Sequence, residues 1–123
     1  MAIQKILIVD DSPTERYYLT DILVRNGFSV TTADNGEDAL AKIRADRPQL
    51  ILMDVVMPGA NGFQITRTIS RDPELSSVPV IICSSKNQET DRIWGLRQGA
   101  RGYLVKPVDP SALLEKIAAL GAL

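Results

Sequence analysis

The chain has 123 residues and a formal net charge of −1, and 45% of its residues are hydrophobic and 24% charged. This balance is typical of one compact domain over residues 1–123, and it excludes a disordered tail, a membrane-spanning segment and the basic surface of a nucleic-acid-binding protein. With no histidine and a single cysteine, Cys83, the sequence also excludes an internal disulfide, a zinc site and a histidine-based catalytic triad, and leaves only metals with oxygen ligands.

The first apolar run, Lys5–Val9, predicts a buried strand that is followed directly by two carboxylates, Asp10 and Asp11. The residues before it lack the apolar stretch and cleavage site of a signal peptide, so we expect a cytoplasmic protein. Residues 12–15 combine a serine N-cap, a proline at the first helical position and a glutamate three residues after the cap, which predicts a helix start. Gly27 is placed to end that helix.

The next two units repeat the order of strand and helix. Ser29–Ala33 predicts a shorter strand, and the polar residues 34–37 offer N-caps for a second helix, which Pro48 ends. Four apolar residues at 50–53 predict a third strand that is buried on both faces. This strand ends on Asp54, which by itself is either placed for chemistry or a turn cap.

The second half of the chain continues the same pattern. After Gly62 the apolar spacing predicts a third helix that ends near the next Asp-Pro pair. Residues 79–83 predict a fourth buried strand that ends on Ser84, and residues 103–105 predict a short fifth strand that ends on Lys106.

Two more helices are predicted in this half. The helix over residues 87–98 is the weakest and is expected to be mobile, because few apolar residues anchor it and Gly95 interrupts it. Asp109 and Pro110 repeat the cap-plus-proline start for the last helix.

Five strands alternating with five helices predict a doubly wound α/β domain with a parallel sheet that is covered on both faces. The carboxyl ends of such strands share one edge, where we expect five polar side chains to meet: Asp10, Asp11, Asp54, Ser84 and Lys106. Each close pair of carboxylates costs on the order of 4 kcal/mol, so positive charge must be present. Lys106 together with Mg²⁺, or with Mn²⁺ as the alternative ion, balances three carboxylates.

A site of this kind suits a phosphoryl group. Mg²⁺ retains several waters and is commonly bound by one or two carboxylates together with phosphate oxygens. One of the carboxylates is then a candidate nucleophile that forms an aspartyl phosphate.

These residues together resemble the receiver domain of bacterial two-component response regulators. The resemblance covers essentially the whole chain and rests on Asp10-Asp11 after strand one, Asp54 within residues 53–62, Ser84 after strand four, and Lys106-Pro107 after strand five. It implies a flavodoxin-like (βα)₅ fold with strand order 2-1-3-4-5, and a cis peptide between Lys106 and Pro107.

The resemblance also implies the chemistry. Asp54 would accept a phosphoryl group from a sensor histidine kinase phosphohistidine, and Lys106 would form an ion pair with that group. Asp10, Asp11, Asp54 and the Val56 carbonyl would hold Mg²⁺. The chain would then be no enzyme for outside substrates, because it would promote only its own phosphorylation and dephosphorylation.

Ser84 and Tyr103 are the predicted switch residues. The resemblance implies that the Ser84 hydroxyl, which stands where a threonine is commoner, bonds the phosphoryl group and that Tyr103 changes rotamer. Movement of Ser84 toward the phosphoryl group would make space for the Tyr103 ring and change a face built by helix four, strand five and helix five. The alternatives are that Tyr103 is an ordinary sheet-edge aromatic and that Trp94 is half-buried packing.

Two neighbours of Ser84 are open to more than one interpretation. Cys83 is interpreted as a small hydrophobic core residue, with redox sensing as the alternative. Lys86 either leans over the site and affects water access to the phosphoryl group, or is a solvated loop charge.

The predicted function is that of a stand-alone receiver that binds another protein or drains phosphate from a kinase. Three segments, residues 11–15, 88–91 and 94–101, are similar to single-domain receivers of type IV pilus twitching-motility systems. This similarity implies a chemotaxis-like kinase and a pilus or motor protein as partners, with no nucleic acid or membrane. We expect a monomer and leave open a dimer that forms on phosphorylation.

Two other classes of function fit part of the pattern. A Mg²⁺-dependent hydrolase with an aspartyl-phosphate intermediate would use the same carboxylates and lysine, but the chain has no segment for substrate specificity. A scaffold that works without phosphorylation would leave the acidic and lysine set unexplained.

Overall fold

The computed structural model describes residues 2–121, which form five strands alternating with five helices, as the sequence predicts. The elements are β1 Lys5–Val9, α1 Pro13–Arg25, β2 Ser29–Ala33, α2 Gly36–Ala45, β3 Leu50–Met53, α3 Gly62–Arg71, β4 Val80–Ser84, α4 Glu89–Arg97, β5 Gly102–Val105 and α5 Pro110–Gly121. Over the described residues, none of these helices has the length and apolar character needed to cross a bilayer.

The five strands are parallel and lie in one sheet in the order β2-β1-β3-β4-β5, which confirms the predicted doubly wound, flavodoxin-like fold. Two strands have bounds that differ from the prediction by one residue. β4 begins at Val80 because Pro79 has no N–H for the ladder, and it extends to Ser84, which pairs with Val105. β5 begins at Gly102.

Helices cover both faces of the sheet. One face packs against α1 and α5 in a buried cluster that includes Ile8, Leu19, Leu23, Leu52, Cys83, Leu113 and Ile117. The other face packs against α2 and α3 in a second cluster that includes Leu7, Ala39, Ile43, Ile51, Met53, Ile65 and Ile69. Because successive residues of β3 and β4 are buried on opposite faces of the sheet, these strands are continuous apolar runs in the sequence.

Side-chain caps fix the starts of α1 and α3. The Ser12 hydroxyl accepts the Glu15 N–H at 3.3 Å, and Asn61 forms a complete capping box with Gln64. At α1 the capping box is incomplete, because the Ser12 N–H donates to Asp10 Oδ1 at 2.9 Å and not to the Glu15 side chain. The start of α1 is therefore tied directly to a predicted site residue.

The predicted interruption of the fourth helix at Gly95 is wrong, because α4 is continuous from Glu89 to Arg97. Gly95 is its buried residue and allows a close approach to the sheet. A Cβ at this position would lie 2.8 Å from Ile82 Cδ1 and 3.2 Å from Tyr103 Cδ2. The apolar side chains of α4 are instead partly exposed, with Trp94 at 49%. The mobility of α4 stays a prediction.

Cys83 is expected to resist thiol reagents while the protein is folded. Burial raises the pKa of its thiol to about 12. The reactive thiolate is therefore scarce at the mildly alkaline pH of thiol-modification assays. We expect slow modification by an aromatic disulfide reagent in native buffer and immediate modification in urea. Equally fast modification under both conditions would contradict a core role and favour redox sensing.

Candidate functional site

Three predicted site residues directly follow their strands at the carboxyl edge of the sheet. The Asp10 N–H donates to Ala33 O at 3.0 Å, the Asp54 N–H donates to Val9 O at 2.8 Å, and the Lys106 N–H donates to Ser84 O at 2.9 Å. Each residue thus extends the ladder by one step before the chain turns away. These backbone hydrogen bonds fix the positions of the three Cα atoms from which the side chains extend.

The carboxylates of Asp10, Asp11 and Asp54 form one group. Each offers an oxygen, and these oxygens all lie within 4.8 Å of one another. Asp10 is 1% exposed and Asp54 is 6% exposed, whereas Asp11 is exposed to solvent. The group therefore opens to solvent on the Asp11 side.

Lys106 lies between the two buried carboxylates. Its Nζ is 2.7 Å from Asp10 Oδ2 and 3.2 Å from Asp54 Oδ1, and its side chain is 15% exposed. One ammonium thus contacts two of the three carboxylates, so the group formally has more acidic than basic side chains.

The environment changes the ionisation of Asp54 and Lys106. Burial, and then the Asp10 carboxylate, raise the pKa of Asp54, while Lys106 offsets part of that effect. For Lys106, burial lowers the pKa, but the hydrogen bond and charge of Asp10 together with the charge of Asp54 raise it overall. The ammonium is therefore held in its charged form beside a carboxylate that the fold makes harder to ionise.

The donor set fits Mg²⁺. Carboxylate oxygens are the ligands that hard divalent cations prefer, and the remaining negative charge favours a cation over an anion. Asp10, Asp11 and Asp54 could hold it. The Val56 carbonyl accepts no hydrogen bond from residues 2–121, which leaves it available as a fourth oxygen.

The loop after Asp54 is shaped by glycine. Gly59 adopts a φ of 75°, and the Gly62 N–H donates to Val55 O at 2.9 Å. A Cβ on Gly62 would lie only 1.9 Å from Asp54 O and 2.9 Å from Val55 Cα. The first residue of α3 therefore rests directly on the backbone that carries Asp54, and only glycine fits there.

Ser84, Lys86 and Tyr103 form a chain of hydrogen bonds that joins the end of β4 to β5. The buried Ser84 Oγ accepts the Lys86 N–H at 3.1 Å, and the Tyr103 hydroxyl donates to Lys86 O at 2.8 Å. Burial raises the pKa of the Tyr103 hydroxyl, and the Ser84 side chain lowers it in part.

The Tyr103 ring is already buried beneath α4, in a small cluster with Phe63 and Ile82. The predicted change of its rotamer on phosphorylation stays a prediction. The Lys86 side chain is exposed. Its position is compatible with the solvated-charge alternative.

Arg16 is a site neighbour that the sequence argument missed. Its Nη1 donates to Asp10 O at 2.7 Å, so α1 holds the backbone of the first carboxylate. The signal available in the sequence is the position of Arg16 one turn into a helix that begins next to Asp10. Periodicity alone does not distinguish such a contact from a solvated arginine.

Lys106→Met is expected to lower the free energy of unfolding by about 3 kcal/mol in metal-free buffer, because it leaves two buried carboxylates without their cation. Mg²⁺ should restore more stability to the variant than it adds to the wild type, since the ion then supplies the missing charge. Urea unfolding with and without Mg²⁺ measures both effects.

The matched control is Lys5→Met. Lys5 Nζ also lies 2.7 Å from a carboxylate, that of Asp46, but its side chain is 52% exposed, so its loss should cost less than about 1 kcal/mol and show no Mg²⁺ response. Equal losses in the two variants would contradict the special role of the buried ion pairs.

Comparison with known proteins gives matches over nearly the whole chain. The family described as "Response regulator receiver domain" matches residues 6–118. Protein PilH of Pseudomonas aeruginosa is 56% identical over 116 residues, which cover 94% of this chain and 96% of PilH. Transcriptional regulatory protein AfsQ1 of Streptomyces coelicolor is 39% identical over 115 residues, which cover 94% of this chain and 50% of AfsQ1. The chain thus spans about half the length of AfsQ1.

Solved structures also align with this fold over nearly the whole chain. A putative response regulator from Chloroflexus aurantiacus aligns with a TM-score of 0.94 at 29% identity, over 98% of this chain and 99% of that one. The chemotaxis protein CheY4 of Vibrio cholerae aligns with a TM-score of 0.89 at 32% identity, over 97% of this chain and 99% of that one. The predicted resemblance is confirmed by sequence and by structure.

Proposed function

The chain belongs to the response regulator receiver domain family, and on that premise we propose that it accepts a phosphoryl group on Asp54 and signals by changing a protein-binding surface. The observation that carries the proposal is the setting of the Asp54 carboxylate, buried 3.2 Å from the Lys106 ammonium and grouped with Asp10 and Asp11. A nucleophilic oxygen flanked by a fixed cation and by metal-binding acids suits phosphoryl transfer.

The proposed donor is a phosphohistidine of a sensor kinase. An Asp54 carboxylate oxygen forms the new bond to phosphorus while the bond from phosphorus to the imidazole nitrogen breaks, and the imidazole leaves. Lys106 supplies positive charge beside the transferred group. Mg²⁺ held by Asp10, Asp11 and Asp54 would neutralise charge on the phosphoryl oxygens. The chain promotes only its own phosphorylation and dephosphorylation in this proposal.

The proposed switch passes through Ser84. A phosphoryl group on Asp54 adds strong acceptor oxygens and nearly two negative charges, which attract the Ser84 hydroxyl. Because Ser84 Oγ now accepts the Lys86 N–H and Tyr103 donates to Lys86 O, a shift of Ser84 would also move the start of the β4–α4 loop and the tyrosine. The change would then reach α4.

The proposed output surface consists of α4, β5 and α5. Its large exposed apolar side chains are Ile93, Trp94, Leu96 and Val105. Several large apolar side chains exposed on neighbouring elements are typical of protein-binding surfaces, and tryptophan is a frequent anchor in them. We therefore propose a protein target and assign Trp94 to this surface.

The proposed pathway is pilus-linked motility. Support comes from the similarity of three sequence segments to twitching-motility receivers and from the 56% identity to PilH. A chemotaxis-like histidine kinase would be the donor, and a pilus or motor protein in the cytoplasm would be the target. The receiver would be monomeric before phosphorylation.

Incubation with acetyl phosphate and Mg²⁺, followed by intact-mass measurement, tests the proposed function. We expect one phosphoryl addition per chain, which does not form when Mg²⁺ is omitted from the reaction. A purified histidine kinase that carries phosphohistidine should transfer its phosphoryl group to the same protein.

Two other outcomes would contradict the proposal, and each would favour a different class of function. Continuous release of phosphate from outside phosphomonoesters, without a stable addition, would favour the Mg²⁺-dependent hydrolase. No modification, despite Mg²⁺ binding shown by titration, would favour a scaffold that works without phosphorylation.

A further inference from the structure

The backbone of the loop that carries Lys106 forms hydrogen bonds with two segments outside the loop. This loop, residues 106–109, joins β5 to α5. At its start the Lys106 N–H donates to Ser84 O at 2.9 Å. In its middle the hydroxyl of Tyr18, 90 positions earlier in the chain, donates to Val108 O at 2.7 Å.

The other contacts of the loop place its backbone less directly. The Lys106 side chain ties the loop to Asp10 and Asp54, but only through the end of a flexible stem. Asp109 accepts the Ala112 N–H at 3.0 Å, which ties the end of the loop only to α5. Pro107 is exposed and has no N–H. The Val108 side chain is buried in the cluster under α1, and this packing is non-directional, whereas the bond to the Val108 carbonyl has a preferred distance and angle.

Helix α1 thereby contacts both the segment that carries Asp10 and the loop that carries Lys106. Through Arg16 it holds the backbone of Asp10 at 2.7 Å, and through Tyr18 it holds the loop that presents Lys106. The distance between the ammonium and the carboxylates depends on the relative position of these two backbone segments. A bond from the same helix to each segment fixes that position.

We propose that Tyr18 is a positioning residue, whose hydroxyl holds the Val108 carbonyl and thereby sets Lys106 against Asp10 and Asp54. The consequence for phosphoryl acceptance rests on the proposed function, whereas the hold on the loop does not. Tyr18 itself does not touch the reacting atoms.

Tyr18→Phe removes the hydroxyl and keeps the ring. Tyr17→Phe is the matched control, because the adjacent Tyr17 is 76% exposed and its hydroxyl makes no hydrogen bond within residues 2–121. Both variants keep the apolar surface of their ring, so a general loss of packing affects them little.

The first measurement is hydrogen exchange of backbone amides, without any phosphoryl donor. In Tyr18→Phe we expect the Lys106 amide to exchange about fivefold faster, as the loss of one neutral hydrogen bond predicts, with the Leu52 amide of the central strand unchanged. Tyr17→Phe should match the wild type. Unchanged exchange at Lys106, or an equal increase at Leu52, would overturn the proposal.

The second measurement is the rate of phosphorylation by acetyl phosphate at different Mg²⁺ concentrations. We expect the maximal rate of Tyr18→Phe to fall about fivefold while half-saturation by Mg²⁺ does not rise, because the carboxylates are untouched and a less firmly held ammonium opposes the ion less. A normal maximal rate would overturn the effect on phosphoryl acceptance. A wild type that takes no phosphoryl group would overturn the proposed function, and the exchange data would still decide whether Tyr18 holds the loop.

Discussion

Asp54→Asn is expected to abolish phosphoryl incorporation and to leave the fold at least as stable as the wild type. The amide of asparagine is a poor nucleophile, so no acyl phosphate should form. Because burial and the Asp10 charge raise the pKa of Asp54, ionisation of this carboxyl opposes folding at neutral pH. A neutral amide removes that cost, and Asp10 keeps its contact with Lys106 at 2.7 Å.

Intact mass after acetyl phosphate treatment and urea unfolding measure the two effects of this substitution. Asp46→Asn is the control, because Asp46 is also ion-paired but is 71% exposed and lies outside the acidic group. This control should be phosphorylated as the wild type is. Persistent phosphorylation of Asp54→Asn at the wild-type rate would show that another residue is the acceptor.

Gly62→Ala is expected to lower the free energy of unfolding by about 3 kcal/mol, the upper part of the range for overpacked interior sites. The added Cβ would lie 1.9 Å from Asp54 O and 2.8 Å from Asp54 C. Both are backbone atoms, so no side-chain rotation relieves the overlap. Either α3 or the segment that carries Asp54 must shift, and phosphoryl acceptance should fall together with stability.

Gly59→Ala is the matched control on the same loop. Gly59 has a φ of 75°, so alanine there is strained, but nothing lies within 4 Å of its added Cβ. Gly59→Ala should lower the free energy of unfolding by about 1 kcal/mol, at the lower end of the range for a residue other than glycine in the left-handed region. Thermal or urea unfolding of both variants separates backbone strain from overlap. Equal losses in the two would argue against the contact between Gly62 and Asp54.

Much of the fold could be predicted because local chemistry decides it. Continuous apolar runs mark strands that helices cover on both faces, and the caps at Ser12 and Asn61 mark helix starts. The strand order is different. Many orders are compatible with five consecutive strand–helix units, so the order 2-1-3-4-5 came from resemblance and not from the residues.

The candidate site could be predicted because parallel strands bring their carboxyl ends to one edge. This rule placed Asp10, Asp54 and Lys106 together although the sequence separates them widely, and the structure gives them direct contacts. Their roles in phosphoryl transfer remain predictions.

Contacts between distant side chains were beyond the sequence argument. Gly95 looked like a helix breaker because propensity describes isolated helices, whereas here glycine allows α4 to approach Ile82. The bond from Tyr18 to Val108 joins residues 90 positions apart and follows no local pattern. Such contacts depend on packing geometry, which no single stretch of residues contains.

The measurement that tests the central claim most directly is location of the phosphoryl group on the chain. Reduction of the phosphorylated protein with borohydride converts an aspartyl phosphate to homoserine, and peptide sequencing by mass spectrometry then finds the changed residue. We predict homoserine at position 54 alone. Homoserine at position 10 or 11, or none in a protein that carries a phosphoryl group, would contradict the assignment of Asp54 as the acceptor.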